Sequence, residues 1–516
     1  MKKHLIGSFW LIFIAHYSLA QMLYLQKKTF PLSKSIDEEY KVIPLAEKGL
    51  LLLKFQDKEE REKRTKIKGK PLLISRLDTN LQNYWSDKYI IPFDFFHKQT
   101  LQYYYDELNF KLYLFFVAVN QRDFVVFKLN LDTGVMENYE GKSPVNLEIS
   151  EFKVLGETLF AYGTLNMRSV AFYFNFIEKV MRFVPSFYSK HQDILAMQLV
   201  PEQNTIYFVV FDRRKYLLSI RPFSTLLGLG KEIVLRDRDD YTLKTAWIYP
   251  KEAQNSTIIG TYGIGAAEFL QGIFTLQVRD NKQENLVYHS FANLKRFFDH
   301  YKPAKVERIK KRISRYKAKG KNLYLTYNLY AHPKPIANQE EQIFVFENYY
   351  LNYRSSNFTS MRGYIGLGQV FDGYVKRYAA IVAMDKQGTI LWDNIFKIDE
   401  AKQMNLAPTT QIGKYADSLV LCYVKEDKIF SKVIYKQHTI REEKEQKLTE
   451  IFVLDRKDDF ENNELLAWYN NNFLLFGREQ KRWLWNSTNH ETIEKDFFYL
   501  SKIRYQHLSN SNPKKP

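Results

Sequence analysis

"FKLNLDTGVMENY", Phe127–Tyr139, is an alternating apolar run, a tight Asp-Thr-Gly turn and a second run. Two more stretches share this shape. "AIVAMDKQGTILWDN" (380–394) turns through Asp-Lys-Gln-Gly and ends near Trp392, and "LLISRLDTNLQNYWSD" (72–87) has Asn80 at the glycine position and Trp85 near its end. Gly and Asn accept the left-handed backbone that such hairpins need. Other strand-like runs, such as "KLYLFFVAV", "SVAFYFNF" and "TIYFVVFD", recur with turn signals about every 8–12 residues, a rhythm of all-β structure rather than βαβ units. Aromatics make up 16% of the chain, which suits pleated, packed surfaces.

The three hairpins resemble the outer hairpins of β-propeller blades, notably the quinoprotein-like kind. A four-stranded blade takes about 40–50 residues. Division on that basis predicts units at 38–92, 100–142, 147–185, 192–236, 241–290, 322–398 and 408–505. The expectation is a β-propeller of about seven blades, six to eight being compatible, with an inserted two-helix segment near 290–320. Radial repetition would protect strand edges without disulfides, as a chain with the single cysteine Cys422 requires. The rival is two β-sandwiches in series, against which stands the lack of a Pro/Gly/Ser-rich linker.

The insertion reads "SFANLKRFFDHYKPAKVERIKKRISRYKAKGK" (290–321). Phe291, Leu294, Phe298 and Tyr301 recur at helical spacing behind Ser290 as an N-cap. Pro303 then opens a second helix, whose stripe is Val306, Ile309, Ile313 and Tyr316 and whose end is marked by Gly320. Residues 302–321 hold ten Lys/Arg and one acid, Glu307, in a chain of net charge +18. Basicity is therefore local, which weakens any nucleic-acid function. Lys305, Arg308, Lys310, Lys311, Arg312 and Arg315 form a candidate contact with an anionic surface, membrane lipid included.

The first twenty residues carry Lys2 and Lys3, an apolar run Leu5–Ala15 and small residues at Ser18 and Ala20. They read as a signal peptide cut before Gln21, with export to the periplasm or outer-membrane surface. Propeller blades are expected at 21–290 and 322–506 around the insertion at 291–321, with an unstructured tail at 507–516. "KEEREKRTKIKGK" (58–70) reads as a solvated loop.

Motifs for chemistry are sparse. The histidines show neither H-x-H nor H-E-x-x-H spacing, so no metal or cofactor is expected. "RDRDDYTLK" (236–244) lacks the Gly and Glu of a calcium loop. "GTYGIGA" (260–266) has no following G-K-[ST] and no helix, which excludes a phosphate loop. Cys422 sits in an apolar run and reads as an inert buried thiol. The unusual stretch is 344–394. Glu347, Tyr349, Tyr350, Tyr353 and Arg354 lead into a long loop, and Arg362, Asp372, Tyr374, Arg377 and Tyr378 lead out. Tyr faces stack on sugars or peptides and Arg pairs with carboxylates. The candidate ligand groove is therefore Glu347, Tyr350, Tyr353, Arg354, Arg362, Asp372, Tyr374 and Arg377. Trp468, Tyr469, Trp483 and Trp485 read as packing that closes the ring.

In order, "FFDHYKP", "RIKKRI", "NLYLTYNLYAH", "FVFENYYLNYR", "FDGY" and "MDKQGTILWDN" resemble an uncharacterised family of exported bacterial proteins with β-propeller-like repeats. The resemblance covers 290–500 and implies export and architecture, with no activity, cofactor or catalytic residue to carry over. The functional expectation is a non-catalytic exported propeller that binds a protein or a cell-envelope polymer. The alternative is an exported glycan-acting hydrolase or lyase.

Overall fold

The computed structural model describes residues 21–33, 38–56, 60–61, 68–92, 95, 102–118, 120–146, 148–237, 241–252, 255–321, 323–332, 335–337, 341–359, 365–452, 459–482 and 494–506. Residues 1–20, 507–516, Arg362, Trp483 and Trp485, for which expectations are given above, lie outside the described residues.

The described strands form eight antiparallel sheets, each built almost wholly from consecutive strands. In chain order they cover 38–92, 102–142, 148–183, 192–235, 241–290, 329–403, 411–447 and 459–506, and are called blades 1 to 8. Gln21–Pro31 is the exception to sequential order: it joins blade 8 by pairing with Glu494–Gln506. Alternation explains the packing, because each strand sends successive side chains to opposite faces. In blade 2, Leu112 and Leu114 face blade 1, whereas Tyr113 and Phe115 face blade 3.

Eight hydrophobic clusters fill the gaps between neighbouring sheets. They join blade 1 to 2, 2 to 3, and so on to 7 and 8. The last sets Leu50 and Leu52 of blade 1 against Leu474 and Leu500 of blade 8. Eight sheets with seven sequential interfaces and a return contact form a closed ring. The fold is an eight-bladed β-propeller.

Eight is the upper end of the expected range. The stretch 408–505, expected as one unit, is two sheets, Gln411–Lys447 and Asp459–Gln506. The cause is visible in His438–Lys447, the outer strand of blade 7, which is mostly polar and exposed and carries no apolar run to mark a blade's end. A short helix, Leu448–Phe452, then buries Leu448, Ile451 and Phe452 between blades 7 and 8.

The first strand of each blade lies innermost, and long side chains tie neighbours together there. Gln102 Nε2 donates to Ile149 O (2.6 Å), and Gln198 both donates to Ile248 O (2.5 Å) and accepts from Ile248 N (2.9 Å). Gln411 Oε1 accepts from Ala467 N (3.0 Å), and Lys153 donates to Met197 O. These bonds satisfy backbone groups that an unpaired inner edge would leave open.

The three signature hairpins join the third and fourth strands of their blades, with one revision in detail. Asp385 Oδ1 accepts from Gln387 N and Thr389 N, with Gly388 at φ 87°. In blade 1 Asp78 Oδ1 does the same for Asn80 N and Gln82 N, but the left-handed residue is Leu81 (φ 56°), not Asn80. In blade 2 the accepting side chain is Asn130 rather than Asp132. Trp85 Nε1 donates to Leu131 O (2.9 Å), so the aromatic after one hairpin grips the hairpin of the next blade.

The insertion lies between blades 5 and 6. Its second half is helix α1, Pro303–Ala318. Gly320 N donates to Lys317 O and Lys321 N to Tyr316 O, with Gly320 at φ 65°, the paired bonds of a Schellman ending. Its first half is a 3-10 turn, Phe291–Asn293, followed by further turns, instead of a regular helix. Ser290 still caps it, accepting from Ala292 N. The chain leaves the helical path at Leu294, which is extended (ψ 143°), and Asp393 of blade 6 accepts from Lys295 N and Arg296 N in place of helical carbonyls; Phe291, Leu294, Phe297 and Phe298 are all buried. They wedge between blades 5 and 6, and Val306, Ile309 and Ile313 of α1 pack on the same cluster.

Candidate functional site

The longest strands of the molecule, Glu341–Thr359 and Ile365–Asp385, pair along their whole length. Their neighbours stop sooner: the inner strands reach only Asn348, and the outer strand reaches Tyr374. Beyond these points the hairpin is a two-stranded ribbon extending past the rest of blade 6.

Glu347 lies at the base of the ribbon and is fully buried. Its Oε1 accepts from His332 Nε2 (3.0 Å) and Thr410 N (2.6 Å), and both oxygens accept from Thr409 N. Lys376 Nζ, also fully buried, sits 3.1 Å from Oε2 and 4.5 Å above the Tyr330 ring. Burial alone would raise the Glu347 pKa, but His332, Lys376 and the Thr410 N–H overcome it and hold the carboxyl at about 2. The ammonium of Lys376 is pushed down by burial, only partly offset by Glu347. Four donors or cations converge on the carboxylate and keep it ionised. Glu347 therefore ties blade 6 to the chain entering blade 7 and does not face a ligand.

The other ribbon residues fall into two groups. Tyr353 meets Phe371 edge-on (6.0 Å), Phe371 meets Tyr374 (5.1 Å) and Tyr374 meets Tyr349 (5.6 Å), a ladder of rings with Tyr353 half exposed at its end. Asp372 accepts from Asn352 (3.0 Å) and pairs with Lys402 (2.7 Å). Lys402 depresses the Asp372 pKa, and the exposed Arg354 adds to the effect.

Tyr350 and Arg377 sit lower, with the guanidinium 4.4 Å over the ring and 3.7 Å from Glu400. Both line a cavity of about 820 Å³ that Tyr353, Arg354, Asp372 and Tyr374 do not line. Its other walls are His300 and Tyr301 of the insertion, Lys397, Asp399 and Glu400 of blade 6, and Tyr423, Phe430 and Glu443–Glu445 of blade 7. His300 stacks on Tyr378 at 3.9 Å and donates from Nδ1 to Phe297 O, and burial pushes its pKa down to about 4. A cavity of similar volume near Asn120 and Asp123 in blade 2 has fewer rings, Phe95 and Phe124. Among the described residues no group of three or more His, Cys, Asp or Glu is placed to hold a metal ion. Cys422 is fully buried, and burial raises its thiol pKa far above the ordinary value.

His300, Tyr301, Lys397 and Glu443–Glu445 are absent from the sequence-derived groove. They come from three separate parts of the chain, and no local spacing links them.

No protein-family model matches the chain, and no curated protein matches it. Solved structures do. One is the β-propeller domain of the trilobed protease from Pyrococcus furiosus, at 8% identity over 79% of this chain and 95% of that one, with a TM-score of 0.31. Another is the polysaccharide lyase Uly1, at 7% identity over 80% and 90%, with a TM-score of 0.36. A third is an uncharacterised protein from Listeria monocytogenes, at 9% over 77% and 95%, with a TM-score of 0.34. The ring assignment stands on the chain's own eight sheets and interfaces, and these likenesses add nothing about function.

Proposed function

We propose that this propeller is an exported, non-catalytic binding protein whose ligand is a cell-envelope polymer or a protein segment. The carrying observation is the 820 Å³ cavity in which Arg377 stacks on Tyr350 beside Tyr301, Tyr423 and Phe430. Partly exposed Tyr301, Tyr350 and Phe430, with a cation held over Tyr350, suit a sugar ring or an extended peptide. The export half of the reading comes from the first twenty residues and is checked by N-terminal sequencing of the secreted chain, which should begin at Gln21. The binding half is checked on glycan and peptide arrays. Tyr350→Ala with Arg377→Gln should remove the signal that the wild type gives, and equal signals from both would reject the cavity.

One observation favours a second reading, a glycan-acting hydrolase or lyase. The carboxylates of Asp399, Glu400, Glu443 and Glu445 line the same cavity, and paired carboxylates are the usual apparatus of glycoside cleavage. Release of new reducing ends from a bound polymer, lost in Glu443→Gln with Glu445→Gln, would select it over plain binding.

A further inference from the structure

We propose that α1 is a docking rail for a linear acidic polysaccharide, and that the same polymer continues past Tyr301 into the cavity. At 100° per residue, the stripe Val306, Ile309 and Ile313 faces the propeller, Arg308, Lys311 and Arg315 fall on the opposite side, and Arg312 lies on the flank between, with its guanidinium 5.8 Å from the Tyr316 ring. These four are exposed, and none pairs with an acid among the described residues. Elsewhere cations commonly have partners, such as Lys54 with Glu38, Lys402 with Asp372 and Lys425 with Asp399. Like charges three and four residues apart repel along a helix. The row Arg308 to Arg315 spans about 10 Å of helix axis, and Glu307 is the one acid on α1, so the helix supplies little of its own charge to compete with a bound polyanion.

The shape of the surface selects a polymer over a bilayer. The helix spends its apolar residues on the blades, and its outer face carries no exposed large hydrophobic side chain. Stable membrane attachment normally requires such insertion in addition to charge. Lys305, on the flank of the helix one turn before Arg308, links the rail to the cavity: its Nζ lies 3.6 Å over the ring of Tyr301, which is a cavity wall. A chain of acidic sugars can lie on the cations and stack on the rings at once, and a lipid surface cannot. The second half of this contact rests on the cavity being a ligand site; the first half does not.

The test titrates the full-length protein with polygalacturonate, heparin, neutral dextran, single-stranded DNA and phosphatidylglycerol vesicles at low and high salt. Polygalacturonate and heparin are expected to bind and dextran not to. The quadruple variant R308Q/K311Q/R312Q/R315Q should weaken both by about tenfold or more and flatten the salt dependence, because four counter-ion contacts are lost. The charge-conserving R308K/R312K/R315K should bind like wild type. If Y350A/R377Q leaves polymer binding intact while the quadruple variant does not, the rail stands and the cavity reading fails. If the quadruple variant binds like wild type, the rail is overturned whatever the cavity variant does. Binding to DNA or vesicles but to neither polysaccharide overturns the proposal, as does binding to none of the probes.

Discussion

Glu347 shows how much one buried charge can govern. Its native pKa of about 2 lies below the ordinary 4.5, so in that interval the unfolded chain binds the additional proton. Stability from this group is complete above pH 4.5 and is lost as the pH falls through 2, an effect of at most about 3 kcal/mol. Acid titration of urea unfolding should show this loss in the wild type and a flatter profile in Glu347→Gln. At neutral pH the same substitution leaves Lys376 buried without its carboxylate and should destabilise by about 3–5 kcal/mol, with part recovered when Lys376→Met is added. In sequence Glu347 reads as the mouth of a groove, since an acid closes an apolar strand next to several tyrosines. Its burial depends on facts no local pattern contains: the bulge at Asn348/Tyr349 that brings Lys376, paired with Tyr349, within reach of the carboxylate, and the arrival of Thr409 and Thr410 from about sixty residues downstream. Tyr350 and Arg377 were legible as ligand-facing types, but their stacking contact arises from the ribbon's pairing.

At the scale of elements, α1 was readable because its spacing, its opening proline and its closing glycine agree with one another. The preceding turn is less so, because Asp393, about a hundred residues downstream, captures the amides of Lys295 and Arg296. Anchoring of α1 depends on side chains that are only partly buried, so the helix is a loosely held element on a rigid ring. Ile309→Asp with Ile313→Asp should speed tryptic cleavage within 302–321 and lower stability by about 1–3 kcal/mol, without altering the β-rich circular dichroism of the ring. Rapid loss of the whole chain in the same digest would show instead that α1 supports the ring itself. The outer strand His438–Lys447 is the counter-example: no apolar run announces it, and it is placed by ladder bonds to Lys428–Tyr435 and by polar contacts such as Arg296 to Thr439 and Lys397 N to Glu443.

For the whole molecule, the hairpin rhythm announced radial repetition, but the count required knowledge of where the ring closes. Closure is made by Gln21–Pro31. Lys27 Nζ reaches Glu479 Oε1 at 2.6 Å and lies 4.7 Å from the Phe452 ring and 5.1 Å from that of Phe460. Met22 N also donates to Gln446 of blade 7 (2.8 Å). Removal of residues 21–31 should open blade 8 and produce early, less cooperative thermal unfolding, and a synthetic peptide of those residues added in trans should restore the sharp transition. No rescue together with unchanged melting would show that blade 8 is stable with three strands. The seam also sets the order of assembly. The strand synthesised first among those described pairs with the one synthesised last, Gln21 with Gln506, so contacts of the longest sequence separation form late in folding. Until Glu494–Gln506 emerges, Gln21–Pro31 has an open edge able to pair with other chains. That strand therefore stays unpaired for the whole length of synthesis, and a chaperone that recognises short extended segments would protect it.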